Sequence, residues 1–208
     1  MAGLFGSIKT AAEKRQHFRA DLESGTITRL PGAFNPLTAR LIQDIGGFGG
    51  VYVSGAVLAN DLGLPDIGLT TLSEVAQRSG QIARATDLPV LVDADTGFGE
   101  PMSAARTIAA LEDAGLAGCH LEDQVNPKRC VHLDGKEVVD KDIMVRRISA
   151  AVNERRDPNF IICARTDAAG VNGFDDAIDR AKAYADAGAD LIFTEALYRP
   201  EDFEKFRA

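Results

Sequence analysis

The sequence predicts an α/β fold, a (β/α)8 barrel of the TIM type, and three observations predict it. Short apolar runs alternate with helical periods along the chain. Those runs do not alternate apolar with polar, which is the pattern of parallel strands buried on both faces. Nearly every run also ends in a residue able to do chemistry: Ser54, Asp93 with Asp95, Glu122 with Asp123, Arg165 with Asp167, and Glu195. A barrel draws its site from the C-terminal ends of many strands, whereas an open doubly wound sheet concentrates it at one switch point. The distribution therefore favours the barrel.

The elements follow in order. An N-terminal helical segment covers 1–25, with charge and alanine interleaved over 11–23 before Gly25. Asn35 caps a second helix with Pro36 at its first position; Leu37, Leu41 and Ile45 fall four apart on one face, and Gly46 is placed to end it. Thr71 with Glu74 has capping-box spacing at the head of the next, which runs to Thr86. Further helices are expected over 103–114, from Asp140 to Arg156, over 175–187, and from near Pro200. Six strands are expected between them, at 28–30, 51–53, 90–92, 118–121, 160–164 and 191–194. One repeat is visible directly, since Asp113-Ala114-Gly115 and Asp186-Ala187-Gly188 each close a helix and hand the chain to a strand. The glycines at 46–50 precede a strand instead of following one, so a nicotinamide fingerprint is absent.

Composition bounds the function. With 208 residues, 45% hydrophobic and 26% charged, the chain suits one soluble barrel domain, here incomplete. A net charge of -8 argues against nucleic acid and against an anionic membrane surface as partners, though not against a small anionic substrate in a basic pocket. Cys119, Cys130 and Cys163 are odd in number and not spaced for zinc, which points to reduced thiols and a cytoplasmic home.

Asp93 and Asp95, two apart at a strand end, can point the same way and offer oxygen ligands to Mg²⁺; turn capping is the competing reading. Asp66, in a Pro-Asp turn, could face the same cation. Adjacent Glu122 and Asp123 must diverge, one toward the barrel mouth and one away. Arg165 at a strand end asks for an anion, either a substrate carboxylate or a structural partner in Asp167 or Glu195. His17 reads as a surface residue and His120 as a hydrogen-bonded core residue. Cys130 sits in KRCVHLDGK at 128–136, where Lys128, Arg129 and His132 would favour its thiolate.

YVSGAVLANDLGLPDIG, LVDADTGFG, HLEDQVNPKRCVH and ARTDA, in this order, resemble the isocitrate lyase and phosphoenolpyruvate mutase superfamily, and within it the branch that acts on 2-methylisocitrate. The resemblance runs from about residue 14 to 208. It implies Mg²⁺, a homotetramer, and cleavage of 2-methylisocitrate to pyruvate and succinate, with isocitrate or phosphonopyruvate and oxaloacetate chemistry as the alternatives within the superfamily. By matching motif, Ser54, Gly55 and Ala56 would meet the substrate and Asp93 with Asp95 would hold Mg²⁺. Asp66 and Glu122 would bind its waters. Val131, His132, Arg165 and Glu195 would contact substrate, and Cys130 would be the catalytic acid. The thiol loop sets the lyases apart from the mutase and oxaloacetate-cleaving branches.

Two departures stand against that pattern. Val131 occupies the place of the family's loop glycine, where a β-branched residue resists positive φ. Six strands are also too few to close an eight-stranded barrel, so the sequence reads as C-terminally truncated, and a catalytically inactive remnant is the second hypothesis.

Overall fold

The computed structural model describes residues 6–130, 133 and 135–207. Its helices and strands alternate: α1 (Ala11–Glu23), α2 (Pro36–Ile45), β1 (Val51–Val53), α3 (Gly55–Asp61), α4 (Leu72–Ala85), β2 (Val90–Asp93), α5 (Pro101–Asp113), β3 (Gly118–Glu122), α6 (Lys141–Glu154), β4 (Ile161–Thr166), α7 (Ala168–Val171), α8 (Phe174–Asp186), β5 (Leu191–Thr194) and α9 (Pro200–Arg207). All strand pairs are parallel and the spatial order is β1-β2-β3-β4-β5. A sheet that adds each strand beside the last, with no reversal, is the barrel progression. It has no switch point of the doubly wound kind.

The expected strand at 28–30 does not form. Its neighbourhood contributes a bridge between Gly32 and Tyr52, in which Tyr52 N–H donates to the Pro31 carbonyl at 3.0 Å and Ala33 N–H to the Tyr52 carbonyl at 2.8 Å, and Gly49 N–H donates to the Arg29 carbonyl at 3.1 Å. Pro31 has no N–H to extend the ladder. Two short helices, α3 and α7, went unforeseen.

The capping signals hold. Asn35 accepts from Thr38 N–H, and Thr71 and Glu74 form a reciprocal capping box, as do Thr10 and Glu13. On α2, however, Ala39 and Ile42 are the buried positions, while Leu37, Leu41 and Ile45 face outward.

Strand parity decides what faces where. Val51, Val53, Val90, Val92, Cys119, Leu121, Ile162 and Ala164 pack into the main core with Ile82, Ile108, Leu111, Met144 and Ile148 of the surrounding helices. The alternate residues face inward, and the register aligns them across strands: Tyr52 beside Leu91, Asp93 beside His120, His120 beside Cys163, Glu122 beside Arg165, Arg165 beside Phe193. Apolar residues fill this inner face at the N-terminal end, where Phe18 of α1 packs with Leu91, Ala117 and Ile161. Polar ones fill it at the C-terminal end.

Helix α1 closes the N-terminal end, and its cations do part of the work. Lys14 Nζ donates to the Ala83 and Thr86 carbonyls at 2.7 and 3.0 Å, and Arg15 donates to the Leu116 and Glu112 carbonyls at 2.8 and 2.7 Å. Several of these carbonyls lie at the ends of α4 and α5, where helix dipoles favour positive charge.

Because Phe18 is wholly buried, Phe18→Ala should destabilise the chain by about 3–5 kcal/mol. Urea unfolding would read this as a lower midpoint at unchanged slope. An unchanged midpoint would mean that α1 is not docked as described.

Candidate functional site

The C-terminal end of the sheet gathers ionisable side chains that are almost all buried: Asp93 (6% exposed), Asp95 (4%), Glu122 (1%), Lys128 (4%), Arg165 (8%) and Asp167 (0%). Asp93 ends β2, and the chain turns back at once because Asp95 takes φ +46°, a left-handed conformation that aspartate tolerates better than most residues. Asp93 accepts from the N–H of Asp95 at 3.0 Å and of Gly55 at 3.1 Å. A Cβ on Gly55 would lie 2.9 Å from Asp93 Oδ2 and 3.2 Å from Asp95 Oδ1, so the glycine is what lets the head of α3 approach the pair. Ser54 is the N-cap of α3 and Ala56 its second residue, which brings this predicted trio to the carboxylates.

Burial opposes the charge on Asp93, yet His120, Lys128 and Arg165 together hold its carboxyl below the usual carboxylate range. Burial also keeps the His120 imidazole toward its neutral form, so the lasting positive charge comes from Lys128 and Arg165. Asp95 goes the other way, pushed up to about 6 by burial and by Asp93. His120 is both a core residue, as expected, and a neighbour of the pair: its Nε2 lies 2.8 Å from the Tyr52 hydroxyl and 3.5 Å from Asp93 Oδ1.

Glu122 and Asp123 diverge as their adjacency requires. Asp123 points behind the sheet, accepting from Thr166, Tyr184 and the Asp167 N–H at 2.7, 2.8 and 2.9 Å, with Arg180 at 3.3 Å. Glu122 faces the mouth, 3.4 Å from Arg165, and burial above all raises its carboxyl well over the ordinary value. Arg165 donates to both oxygens of Asp167 at 3.0 and 3.1 Å and lies 3.6 Å from Glu195. Both structural partners expected for Arg165, Asp167 and Glu195, thus lie beside it. Phe193 stacks under the guanidinium at 5.2 Å. A hollow of about 630 Å³, lined by Tyr52, His120, Cys163, Phe193 and Glu195 among others, adjoins this group.

Cys130 is half-buried on a loop whose base is pinned by Val125 N–H donating to the Glu137 carbonyl and by a bridge between Gln124 and Val138. Its own N–H donates to the Asp66 carbonyl at 3.1 Å. Lys128, expected to act on the thiol, directs its ammonium instead at Asp66 and, at 2.8 Å, at Asp95. Sequence reading missed this, and the only local signal was that Lys128 and Cys130 are two apart on one loop. It also passed over Tyr52, and Lys136, which donates to Asp167 at 3.1 Å. Val131 and His132 lie outside the described residues.

Among the described residues no three His, Cys, Asp or Glu side chains converge to cage an ion by themselves. The donor set nonetheless fits a hard cation that keeps its waters: it is all oxygen, and Glu122 Oε1 is buried with no hydrogen-bond partner among the described residues.

Residues 18–208 match the family described as phosphoenolpyruvate phosphomutase. The chain belongs to this family. Among its relatives, the phosphomutase-family protein named probable 2-methylisocitrate lyase 2 of Corynebacterium glutamicum is 76% identical over all 208 residues, and the chain spans 67% of that protein's length. A crystal structure of 2,3-dimethylmalate lyase superposes with TM-score 0.87 at 36% identity, covering 96% of this chain and 66% of that one. Phosphonopyruvate hydrolase complexed with oxalate and Mg²⁺, another superfamily structure, superposes with TM-score 0.84 at 32% identity, covering 93% and 67%. This phosphomutase-family chain collects its buried ionisable residues at the C-terminal end of its sheet.

A carboxyl raised in the folded state contributes stability that is present below its unfolded value and lost as pH rises through the folded one. For Asp95 that window runs from about 4 to about 6. In the metal-free chain, carboxyl NMR should show Asp95 titrating near 6, and Asp95→Asn should flatten the fall in stability across that window. Titration at or below 4 would contradict the arrangement.

Proposed function

We propose that this chain carries the site of a Mg²⁺-dependent carbon–carbon lyase that cleaves 2-methylisocitrate to pyruvate and succinate. The observation that supports the reading is the thiol loop: the Cys130 backbone N–H donates to the Asp66 carbonyl while Lys128 of the same loop reaches Asp95, so the loop that carries the thiol is docked beside the buried carboxylate pair. The relative from C. glutamicum, 76% identical, supports the substrate.

Asp93 and Asp95 would hold Mg²⁺, with Asp66 and Glu122 binding its waters. Bound there, Mg²⁺ stabilises the negative charge that grows on the 2-oxo acid fragment as the bond breaks. The remaining work falls to the chain's own groups. Ser54, Gly55 and Ala56 at the head of α3 would meet the substrate, with the Gly55 N–H kept on Asp93. Arg165, held in one orientation by Asp167, would grip a substrate carboxylate, and Glu195 would contact the substrate beside it. Val131 and His132 would add contacts from the loop. Cys130, as the neutral thiol, would protonate the succinate carbanion, and in reverse its thiolate would take that proton back. A homotetramer, small-polycarboxylate recognition and a cytoplasmic setting complete the proposal. No helix among the described residues is long and apolar enough to cross a membrane.

Pyruvate release from 2-methylisocitrate by this chain should require Mg²⁺, and Cys130→Ser should lower the rate by about 10²-fold or more. Pyruvate release that survives the substitution would remove Cys130 from the role of acid, and turnover of phosphonopyruvate that survives it would favour mutase or phosphonopyruvate-hydrolase chemistry. No turnover from a folded, Mg²⁺-loaded chain would favour the inactive remnant.

A further inference from the structure

The acidic pair already has a cation on it, and that cation belongs to the chain. Lys128 is 4% exposed; its ammonium lies 2.8 Å from Asp95 Oδ1 and also contacts Asp66 Oδ1. One short segment thus holds the loop twice, by the Asp66 carboxylate on Lys128 and by the Asp66 carbonyl on the Cys130 N–H. Gly68 permits this docking: it has φ +74°, and a Cβ there would stand 3.3 Å from the Lys128 nitrogen and 3.5 Å from Pro127 Cβ. The base of the loop is fixed independently at 124–125 and 137–138. The contacts that hold Lys128 and Cys130 against Asp66 can therefore change without unravelling the strand behind them.

An ammonium buried this far has exchanged its water for carboxylates. Burial works against its charge, but Asp95 and Asp93 more than offset that and hold it above the ordinary lysine value. The ammonium thus faces Asp95 Oδ1 at a charge-assisted distance of 2.8 Å, on an oxygen with no other hydrogen-bond partner among the described residues. Two positive charges on one carboxylate oxygen in a dry site repel strongly, so a divalent cation that takes Asp95 meets this ammonium.

We propose that Lys128 is a positioning residue that competes with the divalent cation for Asp95: its ammonium occupies the carboxylate in the metal-free chain, and metal entry displaces it and loosens Cys130 from Asp66. This rests on the assignment of Asp93 and Asp95 to Mg²⁺ made above. The coupling is reciprocal, so whatever the lysine takes from metal affinity, the metal takes from loop docking. The thiol would then be held down until the site is loaded.

Two measurements on the whole chain test it: Mg²⁺ titration calorimetry on wild type and Lys128→Met, and hydrogen exchange of the peptide containing Arg129 and Cys130 with and without Mg²⁺. Lys128→Met should bind Mg²⁺ about tenfold tighter or more, within the usual range of coupling between sites. Mg²⁺ should speed exchange of the wild-type peptide and leave that of Lys128→Met unchanged. Wild-type exchange that saturating Mg²⁺ leaves alone or slows would overturn the proposal, and this arm stands even if the variant fails to fold. Equal affinity in both proteins would overturn the competition and leave the metal assignment intact; no Mg²⁺ binding by either would remove both.

Discussion

The Arg165 guanidinium holds Asp167 at 3.0 and 3.1 Å and lies 3.4 Å from Glu122 and 3.6 Å from Glu195, while Lys128 serves Asp66 and Asp95 from the other side of the mouth. These two cations make it possible for so many carboxylates to be buried at one end of a sheet. Removing one partner of a buried pair costs about 3–5 kcal/mol, whereas replacing the whole set with apolar residues is often neutral or stabilising. Stability alone therefore does not explain the cluster. Even with Arg165, Lys128 and Lys136 in place, burial above all pushes Asp95 up to about 6 and raises the Glu122 carboxyl well above its ordinary value, and Glu122 Oε1 has no hydrogen-bond partner among the described residues. The negative charge is incompletely balanced from within, and a divalent cation is the chemistry that would balance it.

The fold creates that imbalance by parity. Each strand sends alternate residues to the inner face, so a single register places Asp93, His120, Glu122 and Arg165 together while Val92, Cys119, Leu121 and Ala164 pack under the helices. Phe18 and the buried heads of Lys14 and Arg15 close the opposite end. Apolar filling at one end and charge at the other is what lets a sheet be both core and site.

Much of this was legible because it is local. Capping at Asn35 and Thr71 depends on residues three apart, and strand runs such as 51–53 and 191–194 are bounded by their own composition. The acidic pair, the divergence of Glu122 from Asp123 and the position of Arg165 followed from strand ends. What failed depended on distant partners. Lys14 and Arg15 look like surface charge until the carbonyls of α4, α5 and the segment before β3 are set against them. Lys128 looks like a neighbour of the thiol until Asp66 is brought across. The lost strand at 28–30 turned on Pro31, whose missing N–H reduces a ladder to a bridge.

The central claim is that this end of the sheet is a divalent-cation site made incomplete by its own charge. A crystal structure of the chain grown with Mn²⁺ in place of Mg²⁺, read by anomalous scattering, tests it most directly. The account predicts a single metal bound to Asp93 and Asp95, with a water between it and Glu122. Metal located elsewhere, or none at saturating Mn²⁺, would contradict it.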